Sequence, residues 1–116
     1  MSKRKPKLAP SLLQSEKRCY KSGVTQDLAL HHIYGGIGRR NKSTEWGCWV
    51  WLHPRWHTES PTGVHFDKEF DRELKAKCQV AFEIKYGHAK FMEVFGKNYL
   101  EDGNDAENLF DRESDP

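Results

Sequence analysis

Histidine is the side chain here with the most chemistry to offer, and six occur in 116 residues. His31 and His32 are adjacent in Leu30-His31-His32-Ile33-Tyr34-Gly35-Gly36, where an apolar segment ends and glycines let the chain turn. In an extended segment successive side chains point to opposite faces, so one imidazole can bind a metal ion while its neighbour meets a separate reactant. His57 and His65 follow at later boundaries of the sequence. Three imidazoles around one ion leave positions open for water or phosphate, which is how a catalytic site differs from a closed structural one. Arg39, Arg40 and Lys42 lie between these histidines in a glycine-rich stretch, residues 35–45. Guanidinium groups grip phosphate bidentately, and glycines let backbone N–H groups approach an anion closely. Lys42-Ser43 lacks the preceding Gly-x-x-x-x-Gly frame, so the stretch is not a nucleotide-binding P-loop.

Few elements are available to hold these residues. A turn at 22–27 leads into a short strand over 28–34, and a second strand spans 47–52, rich in aromatic and β-branched side chains. Alternation puts Trp49 and Trp51 on one face of that strand and Val50 and Leu52 on the other. Residues 35–45 read as a loop, and 54–64 as a polar connection without a regular element. Phe66, Phe70, Leu74, Cys78, Ala81, Phe82 and Ile84 recur at helical spacing, which predicts a helix over 66–86 with Gly87 as its cap. A shorter helix over 88–95 ends at Gly96. The long helix must cross the strand pair to bury Phe66, Phe70 and Leu74, and that crossing brings the histidine-bearing junctions together. The predicted fold class is therefore α+β, a β-hairpin crossed by a helix, with an additional C-terminal helix.

Length allows one small domain. Net charge is only +2, yet residues 1–22 hold seven Lys/Arg against one Glu, and residues 101–116 hold seven Asp/Glu against one Arg. These ends read as a basic arm suited to phosphate contact and an acidic tail, both polar and disordered, flanking a folded domain at 23–100. Leu12-Leu13 is the part of the arm expected to dock on the core. Three cysteines make no even disulfide framework, none has a Cys-x-x-Cys partner, and no signal peptide or membrane span is seen. A reducing, cytoplasmic setting without a membrane partner is expected. The four tryptophans supply buried area more than a stacking platform for bases. His53 and His88 stand outside the pattern, as a surface residue before Pro54 and a helix-terminus residue.

His31-His32-Ile33, then Val50-x-Leu52 followed by His57, then His65 opening a helix, resembles the HNH nuclease motif, also called the ββα-metal or His-Me finger. The segments His31-His32-Ile33-Tyr34-Gly35-Gly36, Ser43 to Gly47, Gly63-Val64-His65, Leu74-Lys75 with Gln79, Phe82-Glu83 and Phe95-Gly96-Lys97-Asn98-Tyr99-Leu100 further resemble small temperate-phage members related to the RecA-dependent recombination-enhancing nuclease. Residues 19–100 are covered. The resemblance implies a ββα-metal finger that hydrolyses DNA phosphodiesters, with His31, His57 and His65 binding one divalent ion (zinc, nickel, manganese or magnesium). His32 would be the general base, its other ring nitrogen held by a backbone carbonyl, and Arg39, Arg40 and Lys42 would position DNA. It also implies a phage-encoded protein in a bacterial cytoplasm, with DNA and a RecA-type filament or other recombination protein as partners. Two departures stand out. Cys48 occupies the place of the motif's asparagine, and seven residues separate His57 from His65. A non-catalytic, metal-stabilised DNA-binding or adaptor module of the same fold is the alternative.

Overall fold

Two four-residue strands carry the histidine pair and its partner. β1 (Ala29–His32) and β2 (Trp49–Leu52) run antiparallel, with His31 opposite Val50 and His32 opposite Trp49. Paired residues share a face, so His31 lies on the side of Val50 and Leu52, which are fully buried, and His32 on the side of the tryptophans. The computed structural model describes residues 7–100; residues 1–6 and the stretch 101–116, predicted as an acidic tail, lie outside the described residues. β1 ends sooner than the apolar run suggests because Ser43 takes over the backbone groups of Tyr34. Its hydroxyl accepts from Tyr34 N at 3.1 Å and donates to Tyr34 O at 2.9 Å.

Two stretches predicted as irregular are helical. Gly36 and Gly38, at φ 98° and 83°, form a left-handed turn that leads into α1 (Arg39–Trp46), and Gly47 at φ 77° closes it. The one residue α1 buries fully is Ser43. A helix anchored by a hydroxyl has no apolar stripe to announce it. Within the connection 54–64, α2 (Pro54–His57) is a single turn, started by a proline whose φ suits the first helical position and by His53 Nδ1, which accepts from Arg55 N at 3.2 Å.

α3 (Lys68–Tyr86) begins two residues later than the apolar spacing predicts. The Asp67 carboxylate caps it, accepting from Glu69 N and Phe70 N, both at 3.1 Å. Phe66 therefore stays outside the helix and is exposed, as is Ile84 near its end, so the packed stripe is Phe70, Leu74, Cys78 and Phe82. α4 (His88–Phe95) has the predicted bounds, with left-handed Gly96 after it. Phe91 and Phe95 from α4 meet Tyr34 and Phe82 with ring centroids 4.6 to 6.1 Å apart. Each such pair adds about 0.5–1.5 kcal/mol to simple burial. Gln79, fully buried in α3, donates to Asn98 Oδ1 and accepts from Tyr99 N, both at 2.8 Å, which ties the chain after α4 back onto the core. All three cysteines are free and buried, as expected of small apolar side chains.

Residues 7–20, predicted as part of a disordered arm, form a strap along the outer edge of β2. Ala9 N donates to Thr44 O, Leu12 N to Gly47 O, the Ser11 hydroxyl to Trp49 O and Tyr20 N to Trp51 O. Trp51 N donates to Gln14 Oε1, and Trp49 Nε1 to Ala9 O. An edge strand leaves a row of unpaired backbone groups, and the strap satisfies them. Leu12 and Leu13 pack on the core as expected. Among the described residues no helix is long and apolar enough to cross a membrane.

Candidate metal centre

His31 projects from β1 into the interior, with 6% of its surface exposed. His57 comes from the end of α2, and His65 from the turn before α3. One ligand nitrogen from each lies within 4.8 Å of the others. The ring centroids are 5.2 Å (His31 to His57), 5.4 Å (His31 to His65) and 4.8 Å (His57 to His65) apart. The last two ligands are fixed to each other through backbone. His65 N donates to His57 O at 3.2 Å, and Val64 N to Trp56 O at 2.8 Å. Gly63 makes this tight return feasible, because a Cβ there would lie 2.7 Å from Glu59 O and 2.8 Å from His57 O.

Among the described residues, His31 Nε2 is the one buried side-chain nitrogen or oxygen without a hydrogen-bond partner. Leaving such an atom unpaired costs about 1–3 kcal/mol, so folded chains rarely tolerate it without a ligand. Its surroundings also exclude a proton. Burial, then the charges of His57 and His65, then those of His32 and Lys75, hold the His31 pKa down at about 3. The His57 pKa is lowered as well, by burial and then by His65. Three imidazoles in mutual contact, one with an orphaned nitrogen, are a donor set that suits a divalent ion.

His32 sits on the opposite face of β1 and is half-buried. Its Nε2 lies 3.1 Å from Thr44 Oγ1, and that hydroxyl donates to Arg40 O at 3.2 Å. A carbonyl only accepts, so the threonine proton points to Arg40 and the threonine oxygen accepts from His32 Nε2–H. The lone pair of His32 is thereby left on Nδ1. The ring nitrogen that the resemblance assigns to a backbone carbonyl is thus held by a hydroxyl, with the carbonyl one step beyond. Burial, and then the Arg40 charge, lower the His32 pKa.

Arg39, Arg40 and Lys42 are all exposed on α1, and of the three Arg40 lines the histidine site. The spacing of α1 explains the split. Arg40 and Thr44 are one turn apart on the face toward β1, and positions 39 and 42 fall on other faces. Sequence reasoning missed Thr44, and also Lys68, Asp71 and Lys75, which line the site from α3. Their i, i+3, i+7 spacing was a usable signal. His53 caps α2 and His88 bonds Glu83 Oε2 at 2.6 Å, so neither joins the cluster. No family model, curated protein or solved structure matches this chain.

Proposed function

We propose that the chain is a metal-dependent DNA endonuclease of the His-Me finger class, with β1, β2 and α3 as its ββα-metal finger. The observation that carries this is the partnerless, buried His31 Nε2 among three clustered imidazoles, one residue from a histidine held on the other strand face. His31, His57 and His65 would hold one divalent ion; three imidazoles suit zinc, nickel or manganese, and magnesium less well. When bound, that ion supplies positive charge to a phosphate oxygen and to the departing 3′-oxygen.

The remaining work falls to the chain's own side chains. Thr44 and the Arg40 carbonyl keep the proton on His32 Nε2, so Nδ1 receives the proton of the attacking water. A lowered pKa keeps His32 neutral, and hence basic, at neutral pH. The Arg40 guanidinium steadies the DNA backbone beside it. In the wider class an asparagine braces the loop that bears the base. Here Ser43 ties that segment to α1 through its two-way bond with Tyr34. By resemblance, the setting is phage recombination or DNA processing in a bacterial cytoplasm, with a RecA-type filament as a further partner.

Metal analysis and plasmid nicking across divalent ions test this together. The His32→Ala protein is expected to keep its ion and to nick roughly 100-fold or more slowly; a His32→Ala protein that cuts as well as the parent removes the assigned base. One observation favours a second reading. Cys48 is fully buried against Cys78 rather than facing the site, so the motif's asparagine has no direct replacement. A non-catalytic, metal-stabilised DNA-binding module would bind DNA with strong salt dependence and cut nothing in any divalent ion.

A further inference from the structure

The histidines stand between two spaces. One, of about 310 Å³, is bounded by the histidines and by Arg40 of α1. The other, of about 280 Å³, is bounded by His31, His32, His65 and the face of α3 that presents Lys68, Asp71 and Lys75. Positions 68, 71 and 75 are three and four residues apart, so they form one row on the helix. Lys75 Nζ pairs with Asp71 Oδ2 at 2.9 Å, both side chains being about one-third exposed (27% and 33%). Partial burial limits solvent screening of these charges.

We propose that the α3 side of the histidines is a second phosphate-binding subsite for DNA, in which Lys68 and Lys75 contact a backbone phosphate neighbouring the one at the histidines. The proposal rests on the endonuclease reading and extends it. To cut one bond in a long polymer, the chain must be held on both sides of it, and Arg40 covers only one. An ammonium is a compact charge on a flexible stem, suited to following a phosphate without a fixed fork geometry. Asp71 has a distinct part. It keeps Lys75 extended over the cavity in the free protein, and Lys75 exchanges the carboxylate for a phosphate oxygen when DNA arrives. The carboxylate then opposes binding, since it shares the cavity with another anion.

The test uses the full chain carrying His32→Ala, so that DNA is not cut, and a fluorescently labelled duplex oligonucleotide whose binding is followed by anisotropy over a range of salt. Metal content and melting are measured for each variant. Lys68→Gln and Lys75→Gln are each expected to reduce the slope of log affinity on log salt by about 0.9, as Arg40→Gln does, while Lys75→Arg keeps it. Asp71→Asn is expected to tighten binding by about two- to five-fold. Unchanged slopes in both lysine variants, with a reduced slope in Arg40→Gln, overturn the subsite and leave DNA binding intact. A parent that shows no salt-dependent binding overturns both. Weaker binding by Asp71→Asn, or loss of metal from any of these variants, also overturns the proposal, because it makes these side chains part of the metal centre.

Discussion

Thr44 shows how much one hydroxyl decides. It fixes which nitrogen of His32 bears the proton, and neither neighbour can substitute, since Ser43 is committed to Tyr34 and Glu45 is exposed. Thr44→Val is expected to lower nicking roughly 10- to 100-fold with metal content unchanged, and Thr44→Ser to recover most of it. Equal activity in the valine protein would exclude the relay. Protonation gives a second expectation, for chelator-treated protein. The unfolded chain takes up protons at histidine below its ordinary pKa near 6.5, whereas folded His31 holds out to about 3. Stability is therefore full above pH 6.5 and is lost as pH falls toward 3, with His32 and His57 adding in the same direction. His31 alone accounts for on the order of 2–3 kcal/mol by pH 4.5, readable as a fall in the urea midpoint. The histidines that cluster were legible in the sequence because they mark junctions. Thr44 was not, because its contact exists only once residues 39–46 coil and turn position 44 toward β1.

Among the elements, the turn joining α2 to α3 is the one the centre depends on most. Gly63→Ala would force Glu59 or the His57 carbonyl to move and so displace both His57 and His65. Metal affinity is expected to fall about 10-fold or more by titration calorimetry, with some loss of stability. Gly35→Ala is the contrast. Nothing lies within 4 Å of a Cβ there and its φ is not left-handed, so melting and metal binding should be unchanged. Elements with apolar periodicity, α3 and α4, could be read in advance within about two residues. α1 and α2 could not, since one is anchored through a serine and the other is a single turn set by Pro54. α3 starts later than the apolar spacing predicts because Phe66 fits that spacing while Asp67, the true signal, fits only the chemistry of caps.

For the molecule as a whole, a bound ion would offset the cost of the orphaned His31 nitrogen and add its own binding free energy. At 1,000 times its dissociation constant it contributes about 4 kcal/mol. In a domain of this size that amounts to a melting temperature on the order of 15 °C or more higher than in chelator. A melt indifferent to chelator would mean that the three imidazoles hold no ion. The stretch 7–20 was the least legible part, because charge suggests solvation, whereas these residues are held by backbone groups whose direction no composition reveals.

That strap also sets an order of events. Ser11 and Trp49 are 38 residues apart and Ala9 and Trp49 are 40, so the strap is synthesised well before the groups it bonds. Thr44, Gly47 and Trp51 offer their groups in line only when α1 has coiled and β2 has paired with β1, and an isolated two-stranded sheet of this size is marginal in water. Docking of the strap therefore requires those elements to be in place, and a chain with the strap undocked presents an open β edge to its neighbours.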